Sequence, residues 1–192
     1  MRRYLLVMLV SVAGCLGPQQ DPSAFFLLSP APGPAVGTPI PVSVGLGPVT
    51  IPGYLDRPQI VVRLSDNEIQ LSEADRWAEP LRDHITRTLE ENLSRLLPGS
   101  SYVDFPWYES ARPDYALQLE IRHFEADAGG QVVLDGTWRL LQGEEEVDSR
   151  DASIDESVAG PSRGAGVAAQ SRALAELSGE IAAAVRRAWS RR

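Results

Sequence analysis

From Val42 onward the apolar residues recur at every second position, and that period gives way to a helical one in two places, so the chain is expected to fold as a sheet carrying two helices. Val42, Val44 and Leu46, then Val49 and Ile51, read as one strand broken by Gly45, Gly47 and Pro48. Gln59–Leu64 and Glu68–Leu71 form two more around an Asp66-Asn67 turn, and the three are expected to make a meander. Leu81, Ile85, Leu89, Leu93 and Leu96 then lie on one helical stripe, with Pro80 in the opening turn and Pro98-Gly99 as the stop. Strands resume at 102–105, 115–124, 132–141 and 147–157. Asp127 to Gly130 supplies a hairpin turn, and the polar last strand suits a sheet edge. A closing helix over about 166–189 aligns Val167, Leu174, Leu177, Ile181, Val185 and Trp189. The expectation is one α+β domain over 42–192 with element order βββαββββα, a mostly antiparallel sheet and both helices packed on one face.

The first fifteen residues have a different logic. Arg2-Arg3, an apolar run from Tyr4 to Ala13 and the small residues before Cys15 have the layout of a secretory signal, too short to span a bilayer. Val12-Ala13-Gly14-Cys15 resembles a lipobox, which implies cleavage after Gly14 and acylation of Cys15, the sole cysteine of the chain. Residues 1–14 are then a lipoprotein signal peptide and Cys15 a lipid anchor. Each buried methylene of an acyl chain contributes about 0.8 kcal/mol, so two or three chains hold a protein on a membrane. Leu16 stands where many enteric lipoproteins retained at the inner membrane carry aspartate, which favours the periplasmic face of the outer membrane. Residues 15–41, rich in proline and glycine, read as a tether interrupted by the apolar segment Phe25-Phe26-Leu27-Leu28, which is expected to dock as a short strand. That leaves 16–24 as the flexible part, reaching about 28 Å at ~3.1 Å per residue.

Composition narrows the function classes. The formal net charge is −8, so the chain repels phosphate backbones and nucleic acid is excluded as a partner; attachment to a membrane has to come through the lipid. Gly160-Pro161-Ser162-Arg163-Gly164 satisfies the nucleophile-elbow pattern, but His84 and His123 both precede Ser162, the reverse of the hydrolase order. Two histidines beside a lipidated cysteine do not make a structural zinc site, and Asp148, Asp151, Asp155 and Glu156 lack the spacing of a calcium loop. The chain is therefore read as a non-enzyme with no catalytic residue, metal or cofactor.

Gly47-Pro48-Val49, the run Ile51-Pro52-Gly53-Tyr54-Leu55-Asp56-Arg57-Pro58-Gln59-Ile60-Val61-Val62-Arg63, and Arg76-Trp77-Ala78-Glu79-Pro80-Leu81 resemble the ABC-type transport auxiliary lipoprotein family, the PqiC-like lipoproteins. The resemblance covers lipobox, linker, strands and both helices. It implies a non-enzymatic lipoprotein that works with an MCE-domain protein of an ABC-type transporter in moving lipids between membranes. A soluble-domain lipid carrier, holding an acyl chain between sheet and helices, is the alternative.

Two surfaces are candidates for docking. In the loop Tyr54, Leu55, Asp56, Arg57, Pro58 and Gln59, Pro58 fixes φ and Asp56-Arg57 can bond locally, so the segment reads as a rigid turn or as a partner-binding surface. Trp77 with Pro80 reads as a hydrophobic plug at the helix start or as a secondary contact surface. The polar last strand and the proline-rich arm also leave room for a homo-oligomer.

Overall fold

The computed structural model describes residues 22–108, 112–162 and 164–192; Cys15 and the signal segment lie outside the described residues. The elements are β1 (Ala24–Phe26), β2 (Ser43–Thr50), β3 (Gln59–Ser65), β4 (Glu68–Trp77), α1 (Leu81–Leu96), β5 (Ser101–Asp104), β6 (Tyr115–Asp127), β7 (Gln131–Gln142), β8 (Glu145–Ser157) and α2 (Ala165–Trp189). The eight strands form one sheet. Its long ladders, β3–β4, β6–β7 and β7–β8, are antiparallel, while β1–β4, β2–β5, β2–β6 and β3–β6 are shorter parallel pairings. The meander expected of β2, β3 and β4 is corrected: β3 and β4 form the hairpin, but β6 lies between β2 and β3. Alternation marks a strand's two faces and carries no information about which strand lies beside it.

The inward face is carried by Tyr115, Leu117, Leu119 and Ile121 of β6, by Val132, Leu134, Trp138 and Leu140 of β7, and by Ala152 and Ile154 of β8, all buried. Both helices cover this face. Leu81, Ile85, Leu89 and Leu93 of α1 and Leu174, Leu177, Ile181 and Val185 of α2 are buried against it. Burying one such side chain contributes about 1.5–3 kcal/mol, so this layer supplies most of the driving force. The stripe of α1 ends on Leu97, fully buried just past the helix, with Leu96 only half-buried. The polar strand β8 pairs β7 alone and stands at an edge, as its composition requires.

One irregularity sets the geometry of the sheet. Between Ile121 and His123 the β6–β7 register shifts by a bulge at Arg122, so burial passes from the odd-numbered residues to Phe124. Gly136 permits this. A Cβ at that position would lie 2.5 Å from the Glu120 carbonyl oxygen and 3.2 Å from Ile121 Cα, both backbone atoms that cannot give way. Arg122 points outward and is fixed by Asp135, with Nη2 to Oδ1 at 2.7 Å and Nε to Oδ2 at 3.2 Å.

Residues 27–38 run across the helical layer and are held by side chains bonding to their backbone. His84, fully buried on α1, accepts from the Leu28 N–H at Nδ1 (3.5 Å) and faces the Leu28 carbonyl with Nε2 (3.2 Å). Ser171 Oγ accepts from Ser29 N–H (3.1 Å) and Asn92 Oδ1 from Ala31 N–H (2.7 Å). Arg95 donates to the Ala31 carbonyl, and Arg186 to the carbonyls of Thr38 and Leu96. A proline-rich segment offers little apolar surface to bury, so hydrogen bonding does the holding.

Two outcomes are expected. Gly136→Ala, which drives a methyl group into the β6 backbone, is expected to lower stability by about 1–3 kcal/mol in urea denaturation without changing the helical signal of the folded state. The second concerns His84, whose pKa is lowered by burial and by nearby Arg87, with Glu79 and the Leu28 carbonyl opposing. Its folded pKa then lies below the unfolded value of about 6.5, so its contribution is fully present above pH ~6.5 and is lost as pH falls through the folded pKa. Stability measured from pH 7 down to pH 5 is expected to decline in the wild type, and a shallower decline is expected in His84→Gln.

Candidate docking site

Along one edge of β6, β2 pairs with its first half, as far as Thr50 opposite Glu120, and β3 joins only at Val62 opposite Ala126. The intervening stretch 121–125 is where the 51–58 loop comes in. The loop is closed on itself: the Pro52 carbonyl accepts from the N–H groups of Leu55 (2.9 Å) and Asp56 (3.2 Å), and the Leu55 carbonyl from that of Arg57 (2.9 Å). Leu55 is buried in the core. The Trp77 N–H donates to the Pro58 carbonyl (2.7 Å), and Gln59 pairs with Arg76 in the β3–β4 ladder.

Tyr54 reaches into the gap. Its hydroxyl lies 3.0 and 3.1 Å from the two Glu125 carboxylate oxygens, 3.1 Å from the Arg122 carbonyl exposed by the bulge, and 3.2 Å from His123 Nδ1. The single phenolic proton serves one acceptor at a time, and the charged carboxylate is the strongest of them. Arg63 closes the cluster from β3: Nε and Nη2 donate to Glu125 Oε1 at 2.7 and 2.6 Å, Nη2 reaches the Tyr54 oxygen at 3.2 Å, and the guanidinium sits 5.6 Å from the ring centroid. The Phe124 N–H adds a further donor to Glu125 Oε2 at 2.8 Å.

Glu125 is only 3% exposed, so its charge depends on these donors. Burial, then the Glu125 charge and hydrogen bond, push the Tyr54 phenol up to about 12, so Tyr54 stays a neutral donor at any physiological pH. Burial works against the Arg63 charge, but the Glu125 and Tyr54 contacts prevail and its pKa is raised. The cluster is a structural clamp, closed by internal partners. It leaves a rigid outer surface carrying Gly53, Asp56 and Pro58 exposed and Arg57 half-buried. The Arg57 Nε–H is buried without an acceptor, while Asp56 Oδ2 accepts from Arg82 Nη2 of α1 at 2.8 Å.

Of the secondary pair, Trp77 is 5% exposed, its ring edge-on to His84 at 5.9 Å, while Pro80 is exposed at the start of α1. Sequence reasoning singled out Tyr54 but not Arg63, His123 or Glu125, which join it from β3 and β6. The available signal was Glu125 itself, an acid directly after Phe124 where the buried alternation changes parity. Ser162 lies in an exposed turn, and the ring nitrogens of both histidines face other partners: Leu28 and Glu79 for His84, Tyr54, Arg63 and Glu125 for His123.

Comparison with known proteins gives these features a family. The model of the ABC-type transport auxiliary lipoprotein component matches residues 26–182. The chain belongs to the ABC-type transport auxiliary lipoprotein family. The intermembrane transport lipoprotein PqiC of Escherichia coli (strain K12) is 30% identical over 96 residues, 48% of this chain and 48% of PqiC, and its Shigella flexneri counterpart matches identically. The match thus spans about half the length of those relatives. Among solved structures, an uncharacterized protein covers 85% of this chain and 98% of its own length at 22% identity and a TM-score of 0.72. Protein XCC0632 from Xanthomonas campestris covers 83% of this chain and 93% of its own at 20% identity and a TM-score of 0.70. These two likenesses establish a shared fold.

Removing the Tyr54 hydroxyl takes one donor from a buried carboxylate, so Tyr54→Phe is expected to cost about 1–2 kcal/mol in denaturant titration. Glu125→Gln removes the charge that Arg63 faces and is expected to cost about 2–4 kcal/mol. The double variant should lose less than the sum, because both substitutions act on one network.

Proposed function

We propose that this family member is a lipid-anchored accessory component of an ABC-type envelope lipid-transport system, held through acylated Cys15 at the periplasmic face of the outer membrane. It acts by binding and positioning an MCE-domain partner, with the outer surface of the Tyr54–Gln59 loop as the docking element and the exposed Pro80 beside it, Trp77 being the buried plug beneath that corner. Family membership supports the transport accessory role, and the name of the PqiC relative supports an intermembrane setting. The observation that carries the docking element is the clamp beneath it. A loop already ordered by Glu125, Arg63 and Tyr54 binds without an ordering penalty. A rim of Asp56 and Arg57 around Pro58 adds charge selection. Function here is attachment and recognition, with no step of covalent chemistry.

Affinity purification of the full-length protein from gently solubilised native membranes tests this reading. An MCE-domain protein is expected to co-purify with the wild type and with Ser162→Ala, and to fall at least tenfold with Asp56→Arg combined with Pro58→Asp. These two substitutions lie outside the clamp. Recovery that does not change with the loop variant contradicts the assignment of the surface, and recovery of the anchored protein alone contradicts the accessory role.

A further inference from the structure

The sheet–helix interface, where a lipid carrier would hold a chain, is filled by Trp138, Tyr115 and Phe124, all fully buried. Apolar space occurs elsewhere. Between the arm and α2 lies a groove of about 570 Å³, within the usual range for a small-molecule site of ~300–1,000 Å³. Phe26, Leu27 and Pro30 form one wall and Val167, Ala168 and Ala175 the other. A second space of about 220 Å³ shares Ala31, Pro32 and Ala175 with it and continues to Gly179. Together they follow α2 from Gly164 to Gly179, about 22 Å at ~1.5 Å per residue. One acyl chain covers about half the ~30 Å hydrocarbon core of a bilayer, about 15 Å, so the groove takes most or all of one chain lengthwise. A wider cleft beside Pro48 is lined by Arg82, Asp83, Arg87 and Glu90 and is charged instead.

The strap over this groove is built to stay in place without filling it. It hangs on backbone hydrogen bonds to His84, Ser171, Asn92 and Arg95, while Leu27 remains 53% exposed at the groove's wall. Two further observations name the occupant. Arg172 lines the groove, with Nε on Glu156 Oε2 (2.8 Å) and Nη2 on the Ser157 carbonyl (2.6 Å), which leaves Nη1 for an anionic head group. The chain outside the described residues enters at Pro22, four residues before Phe26 in the groove wall, and Cys15 lies only seven residues further back. A membrane holding Cys15 is therefore within about 40 Å of the groove, at ~3.5 Å per extended residue. We propose that this groove binds one acyl chain of an anionic membrane phospholipid, threaded between the 26–32 arm and α2 with its phosphate at Arg172. The groove shares no residue with the docking loop, and its occupancy does not require a partner protein.

The test uses the full-length lipidated protein reconstituted in phosphatidylethanolamine/phosphatidylglycerol vesicles that contain phosphatidylglycerol with a diazirine in one acyl chain. After irradiation, mass spectrometry is expected to place adducts within 26–32 and 164–179. Ala168→Trp and Ala175→Trp, each filling the groove from α2, are expected to reduce them at least tenfold. Circular dichroism and the melting temperature check that each variant is folded. Arg172→Gln is expected to lower labelling by this probe more than labelling by a phosphatidylcholine probe of the same chain. Absence of adducts in the wild type, or adducts undiminished in the folded tryptophan variants, overturns the proposal. Labelling that appears only in protein carrying Cys15→Ser, which receives no acyl chains, also overturns it, because the groove then holds the protein's own anchor. Because the vesicles contain no partner, none of these failures bears on the docking role.

Discussion

The structure depends on how one edge of β6 is shared. β2 occupies its first half and β3 its last residues, so the ladder is open between Ile121 and Glu125, where the bulge at Arg122 also turns a carbonyl out of the β6–β7 pairing. The Tyr54 hydroxyl of the 51–58 loop enters that gap, 3.1 Å from the Arg122 carbonyl and 3.0 Å from the Glu125 carboxylate, to which its proton goes. From this one closure the rest of the neighbourhood takes its position. Leu55 enters the core, the Pro58 carbonyl receives the Trp77 N–H, and Asp56 meets Arg82 on the first turn of α1. The ion pair between Asp56 and Arg82 is exposed and contributes at most about 1 kcal/mol; the buried carboxylate carries the constraint.

The arm is joined to the body by a different means. Its prolines and glycines cannot bury much apolar surface, and the helices compensate by directing His84, Asn92, Arg95, Ser171 and Arg186 at its backbone. Asn92 is doubly used, accepting from Ala31 and donating to Ser178 Oγ, so arm, α1 and α2 are tied in one network.

Much of this was legible from the residues. The α1 stripe, the turn at 127–130, the edge position of β8 and the docking of the Phe25–Phe26 segment all follow from local rules of period, turn chemistry and polarity. What was not legible is non-local. β2 and β6 are separated by the whole of the hairpin, α1 and β5, and period two says nothing of a neighbour's identity. The bulge shows in the sequence only as a shift of burial from odd positions to Phe124, with Gly136 across from it as the permissive residue. Tyr54 was visible as part of a proline-framed loop, but Arg63, His123 and Glu125 reach it from strands whose adjacency had to be seen. His84 shows in the sequence only as a histidine ahead of Ser162 and is wholly buried, its ring nitrogens facing the Leu28 backbone and Glu79.

The Tyr54–Gln59 loop is a preformed, rigid surface held by the carboxylate beneath it. Hydrogen exchange of the wild-type full-length protein tests this most directly, read at the amides of Leu55, Asp56 and Arg57, which donate within the loop. Protection comparable to that of the β6 amides is expected. Exchange as fast as at Gly129, in the exposed turn between β6 and β7, would show that the loop opens independently of the sheet and would contradict the claim.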